Sequence, residues 1–335
     1  MPAPATSPSD STRRFMWIAA AVMTLLIGAL HFHFLAHVGG FWRDEVNLIN
    51  LARIHTYQLL THDSFPMLLP LLVNAWTHVV GHGEGVLRLF GIFWGLAVVG
   101  AFWVNTWNAR RSPPLISLAL FGFNAFAIIY GDALRAYGLG SALIVLVIAG
   151  MWWFLKNPTW GRAGLMAGLT TLSVQALFQN AVAVAAICAA AWAVCLRRRH
   201  WAVLPKVVVI GLVAALTLLP YWTNFFPPPG PGQLLFSGFD FAAAFSYLST
   251  YLQFPFPQFQ YVWAALVVLA VGCALAALRP ARTVENAAAE SDLRLYAGVT
   301  LVLGTAGFFW FVWVGKLDIK AWHFLSLLAL VAACL

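Results

Sequence analysis

GLGSALIVLVIAGMWWFL, residues 138 to 155, runs for eighteen residues without a charge or a proline. A stretch of that length reads as a membrane helix, because about 20 mostly apolar residues cross a hydrocarbon core about 30 Å thick. Nine similar runs flank it, at about 15–36, 84–108, 114–130, 163–178, 181–196, 203–221, 261–278, 296–314 and 321–335. Over all 335 residues the chain is 62% hydrophobic and 9% charged, with mean hydropathy +0.83. Such a composition excludes a soluble single-core enzyme and disordered, coiled-coil or collagen-like chains. The expected fold class is an all-α polytopic membrane protein with about ten transmembrane helices, forming one membrane domain over 1–335 without an internal repeat.

The net charge of +8 would suggest nucleic acid on a soluble protein, but here charge sorts by membrane side and no nucleic-acid partner is expected. With a cytoplasmic N-terminus, thirteen of the nineteen cations fall inside, among them Arg13, Arg14, Arg110, Arg111 and Arg197 to Arg199. Arg43, Arg53, Arg88, Arg135, Lys316 and Lys320 fall outside, with seven of the eleven carboxylates and eight of the nine histidines. Polar chemistry therefore gathers on one face, and the inner turns read as simply basic. The first span reads as an uncleaved anchor. The last, with about 14 residues, is short of the length needed to cross, so a C-terminally short chain is expected. Cys188, Cys195, Cys273 and Cys334 sit inside apolar runs and read as small buried hydrophobes.

Two outer segments carry structure of their own. Within the first loop, 38–83, residues Glu45 to Thr56 place Asn47, Asn50 and Arg53 at three-residue spacing, the pattern of an interfacial helix. Phe65 to Val80 predicts a second one, with Pro66 in its first turn and Pro70 bending it. The other loop, 222–260, opens on a Pro/Gly run at 226–232 and aligns Phe241, Phe245, Leu248 and Leu252 on one helical face. Its aromatic stretch, Phe236 to Phe259, suits either a wall for a lipid tail or an interfacial belt.

Ionisable residues at the outer ends of the spans are the candidates for chemistry. Arg43-Asp44-Glu45 follows the first span; it is either a solvated loop end or an acid pair held for a purpose. His62-Asp63 precedes the second predicted interfacial helix, where Asp63 or Ser64 could also serve as its N-cap. Asp132, Arg135 and Tyr137 lie between the third and fourth spans, where acid and base could pair at i, i+3. An ionised side chain at the bilayer centre costs about 2.5–3.5 kcal/mol, which makes such residues functional candidates. Glu84 and Arg88 match an i, i+4 pair, with a phosphate contact from Arg88 as the alternative. Lys320 and His323 flank the last outer turn, as snorkelling side chains or as charge for a phosphate. His31, His33 and His37 read as satisfied or interfacial histidines in preference to a metal pair.

The order of these pieces resembles the GT-C superfamily of membrane glycosyltransferases, such as the protein O-mannosyltransferases (glycosyltransferase family 39) and the aminoarabinose transferase of lipid A. The likeness covers about residues 15 to 155 and continues loosely to Lys320-Ala321-Trp322-His323, similar to a late Arg-Tyr motif. It implies a polyprenyl-phosphate sugar donor, a lipid, glycan or protein acceptor, and an active site on the periplasmic face of a bacterial inner membrane. By that resemblance Asp44 is the catalytic base and Glu45 its neighbour in acceptor or metal contact. His62 and Asp63 stand where the family has an acidic residue or histidine before prolines. Asp132, Arg135 and Tyr137 match the second acidic loop motif. Departures are Asp63-Ser64-Phe65-Pro66 in place of a His-Pro-Pro run, the replaced Arg-Tyr, and no extracytoplasmic C-terminal domain within these residues.

The chemistry asks for a base on the acceptor hydroxyl and cations on the departing phosphate. Asp44 is the expected base; Arg135, with Arg43, Arg88 or Lys320 as alternates, is expected to hold the phosphate. With no second carboxylate assigned as nucleophile, inversion by single displacement is expected. A divalent metal is compatible with the residues and not required by them. The competing class is a transporter or flippase for a lipid-linked or anionic solute, which would place ionisable residues at midplane on broken helices. A non-catalytic assembly subunit is the third reading.

Overall fold

The computed structural model describes residues 10–53, 65–222, 239–278, 285–317 and 319–335, without the side chains of 285–287. His62, Asp63 and the Pro/Gly run 226–232 lie outside the described residues. Among the described residues every regular element is helical. In chain order these are α1 (Asp10–His37), α2 (Arg43–Ala52), α3 (Leu68–Val79), α4 (Glu84–Arg110) and α5 (Ala125–Gly131). There follow α6 (Ala136–Lys156), α7 (Trp160–Ala176), α8 (Asn180–Arg197) and α9 (Leu204–Leu216). The last four are α10 (Phe241–Leu252), α11 (Phe259–Ala277), α12 (Glu285–Val314) and α13 (Leu325–Cys334).

Seven of these segments are long and apolar enough to cross a bilayer: α1, α4, α6, α8, α9 with its flanking 3-10 turns, α11 and α12. The other three expected spans take different forms. Residues 114–130 are broken into a helical turn at Leu115–Ser117, a π-helical stretch at Leu118–Gly122, and α5. Asn124 imposes the last break, its Oδ1 accepting from the Phe126 and Ala127 amides at 3.0 and 3.4 Å as an N-cap. The run 163–178 is the 17-residue α7, and 321–335 is a 3-10 turn (Ala321–Phe324) leading into the ten-residue α13. α13, which the sequence marked only as short for a span, is almost wholly buried, an interior piece of the bundle.

The core centres on α6, against which α4, α7, α8 and α13 pack. Small residues make that closeness feasible, as is usual where helices associate without water to drive them together. A Cβ on Gly138 would stand 2.2 Å from the Gly131 carbonyl oxygen, and one on Gly140 2.3 Å from Leu177 Cδ1. At the rim, α1 and α11 present Leu25 and Val268 outward, as lipid-facing surface does.

Two short helices, α2 and α3, stand where the sequence predicted helices in the first loop, and they pack on each other. α2 is shorter than the expected Glu45–Thr56, starting at Arg43. Pro70, expected to bend its helix, is instead the third residue of α3, in the first turn, where no intrahelical hydrogen bond is lost. At the opposite end the basic turns are more than basic: Arg197 and Arg198 both grip Asp292 (3.3 and 2.7 Å), and Arg110 and Arg294 share Glu290 (3.2 Å each).

Candidate active site

α2 begins with two adjacent carboxylates that a helix's 100° step per residue turns in different directions. Glu45 points inward. Its Oε2 accepts from the Trp42 amide three residues back at 3.1 Å, half of a capping box, and its Oε1 accepts from the Leu134 amide at 2.8 Å. Arg88 Nη1 lies 3.5 Å from the same Oε1, and only 4% of the Glu45 side chain is exposed. Arg88 also donates to the Gly39 carbonyl at 2.6 Å, reaches Glu84 at 3.5 Å and lies 4.2 Å over the Phe41 ring. The expected Glu84–Arg88 pair is therefore present. Its arginine is buried beneath the 39–45 segment and serves as a support for α2.

Asp44 points outward, with 34% of its side chain exposed. Its Oδ2 lies 3.7 Å from Arg135 Nη2, Arg135 Nη1 donates to its backbone carbonyl at 3.1 Å, and the exposed Arg43 stands 3.5 Å from Oδ1. The Arg135 guanidinium lies over Phe65, 4.3 Å from the ring centre, and its buried Nε has no hydrogen-bond partner among the described residues. Tyr137, buried, packs edge-on against Phe65 and His323.

The late motif arrives from the far end of the chain. Lys320 donates its backbone N–H to His323 Nδ1 at 2.9 Å, and its ammonium lies 5.8 Å over Tyr247 of α10. The His323 carbonyl accepts from Gln179 at 3.0 Å. Between this turn and α2, Trp42, Tyr130 and Trp322 form an aromatic cluster with centroids 5.4 to 6.5 Å apart. Asp44, Glu45, Arg43, Arg88, Arg135, Tyr137, Lys320 and His323 are thus brought to one region.

Asp132 does not take the i, i+3 pairing with Arg135 that its spacing allows. It turns to His31 of α1, whose Nδ1 lies 2.7 and 2.8 Å from the two carboxylate oxygens. Burial pushes the Asp132 carboxyl above its ordinary range, opposed by the His31 hydrogen bond and charge. His31, read from sequence as a satisfied or interfacial histidine, is satisfied here, and what the sequence did not reveal is its partner Asp132. The available signal for that contact was the Gly91-x-x-x-Gly95 spacing on α4, a mark of close helix approach. His33 and His37 stack with centroids 4.2 Å apart at the surface of α1, and no group of three metal-ligating side chains occurs among the described residues.

Neither a protein-family model nor a curated protein matches this chain.

Proposed function

We propose that the chain is a GT-C-type membrane glycosyltransferase that moves a sugar from a polyprenyl phosphate to an acceptor hydroxyl. The observation that carries this reading is the division of labour at α2: an outward Asp44 against Arg135, above a buried Glu45 tied to Arg88 and Leu134. A carboxylate partly open to solvent, on a helix whose next residue is anchored in the interior, has the character of a placed base.

In the proposed step Asp44 takes the proton of the acceptor hydroxyl as that oxygen bonds to the anomeric carbon. The bond from that carbon to the phosphate oxygen breaks on the opposite face, and the electron pair leaves with the polyprenyl phosphate. Configuration inverts. Arg135, together with Arg43 and Lys320, supplies the positive charge the departing phosphate needs, and the neutral His323 ring, whose Nδ1 accepts the Lys320 amide, borders it. If a divalent ion takes part, Asp44 is the carboxylate of the pair with oxygens to offer, because both Glu45 oxygens already accept backbone amides. The acceptor class is a lipid, glycan or protein hydroxyl, and the proposed setting is a bacterial inner membrane with this site on the periplasmic face.

The test is sugar release from labelled polyprenyl-phosphate donors by membranes containing wild type or Asp44→Asn. Loss of about 10² or more in rate, with the variant folded, is expected for removal of a positioned base. Unchanged release in the variant would remove Asp44 from the reaction. Absence of release from every donor tried would transfer the weight to a transporter or an assembly subunit.

A further inference from the structure

The turn 132–135 makes two contacts with α2, the Leu134 amide on Glu45 and the Arg135 guanidinium on Asp44. What holds the turn is the His31–Asp132 pair, whose side chains are 4% and 1% exposed. α4 is notched to admit it. A Cβ on Gly95 would stand 1.9 Å from Asp132 Oδ1 and 3.0 Å from His31 Cε1; one on Gly91 would stand 2.0 Å from the Asp132 carbonyl oxygen. Three separate elements, α1, α4 and the turn, therefore meet at a single polar contact in an otherwise apolar packing.

We propose that His31 and Asp132 are positioning residues: their contact, seated in the Gly91/Gly95 notch, locks the turn that aims the Asp44 carboxylate. A buried carboxylate keeps its place only while partnered. Without His31, Asp132 has Arg135 three residues away as the nearest cation in sequence, and so competes with Asp44 for it. Asp44 would then lose the contact that orients it, although nothing in Asp44 itself has changed. As far as turnover is concerned, this rests on Asp44 acting as the base; the geometric claim does not.

Two measurements separate the two. The first uses the thiol of Asp44→Cys, labelled by a membrane-impermeant maleimide in reconstituted vesicles, the four native cysteines lying in helices within the apolar bundle. Adding Asp132→Ala, or Gly95→Ala, which crowds the pair without deleting it, is expected to change the labelling rate by about fivefold or more through local loosening. Asp132→Asn, whose Oδ1 still accepts from His31, is expected to stay within about twofold. A control thiol at Thr250→Cys on α10 is expected to be unmoved throughout.

The second measurement is turnover in the chain with Asp44 intact. Asp132→Ala and Gly95→Ala are expected to lower kcat by about 10- to 100-fold while donor KM stays within about threefold, and Asp132→Asn to retain kcat within about threefold. Parent-rate labelling with Asp132→Ala, an Asn variant as impaired as the Ala variant, or a control thiol moving in step would each overturn the proposal. If wild type releases no sugar, the transferase reading falls and the labelling result alone decides this one.

Discussion

The Leu134 amide donates to the Glu45 carboxylate at 2.8 Å, joining residues 89 apart in the chain and tying α2 to the turn before α6. Because the same oxygen faces Arg88, Glu45 closes a buried node where Asp44, one residue earlier, stays open. Adjacent carboxylates thus sit in opposite environments, one buried and one open, and substitutions should separate them.

Glu45→Ala strips Arg88 of its buried partner and leaves two amides without an acceptor. Breaking a buried pair typically costs about 3–5 kcal/mol. We expect a clear drop in the melting temperature of purified protein in detergent. Asp44→Asn, at a partly exposed site, should shift stability by about 1 kcal/mol or less. Equal melting temperatures for Glu45→Ala and wild type would show that the node does not hold the fold.

Gly91→Ala should be among the most damaging small substitutions in the protein. Its Cβ would meet the Asp132 backbone oxygen at 2.0 Å, which cannot step aside as a flexible side chain could. By contrast, Gly100→Ala on the same helix meets nothing within 4 Å. It should be neutral or stabilising by up to about 1 kcal/mol, the helix-propensity difference between the two residues. Folded yield and melting temperature of the two variants check this directly.

Asp292→Ala, at the basic end of the bundle, leaves Arg197 and Arg198 without their shared carboxylate. A loss of about 1–3 kcal/mol is expected, the range for hydrogen bonds to charged groups. If the proposed transfer holds, sugar release at fixed amounts of folded protein should be unaffected, since Asp292 lies at the end away from α2. A selective loss of release would mean that the two ends communicate.

Polar substitutions at Phe241 or Phe245 test the donor's lipid tail. Both rings are more than half exposed on α10, and Phe245 stacks on Phe309 at 5.5 Å. If α10 walls the tail groove, Phe241→Asn should raise apparent donor KM severalfold for long-chain donors. Turnover on a short-chain donor should stay intact. Equal loss on both donors would return these rings to the role of an interfacial belt.

Several features were legible from residue order alone. The α2 and α3 helices, the Glu84–Arg88 pair and the aromatic face of α10 follow from local periodicity and spacing, which report on one helix at a time. The break at 114–130 was less visible. Asn124 reads as one polar residue in an apolar run until its side chain is seen capping α5 and reaching the Tyr251 carbonyl at 2.9 Å. The burial of α13 was hidden for a different reason: lipid tails and protein interiors are equally apolar, so hydropathy cannot distinguish a core helix from a peripheral one.

By itself the sequence determined that the chain is helical, that it is built for a membrane, and that its ionisable residues collect at the ends of spans. Those conclusions need only run length and the cost of charge in hydrocarbon. Tertiary structure alone decided which carboxylate faces outward, that Asp132 turns to His31 in place of Arg135, and that Lys320 and His323 reach the neighbourhood of Tyr137. Each is a contact between helices distant in sequence. Which partner a helix face meets depends on how the bundle packs, down to the two glycines on α4 that leave room for it.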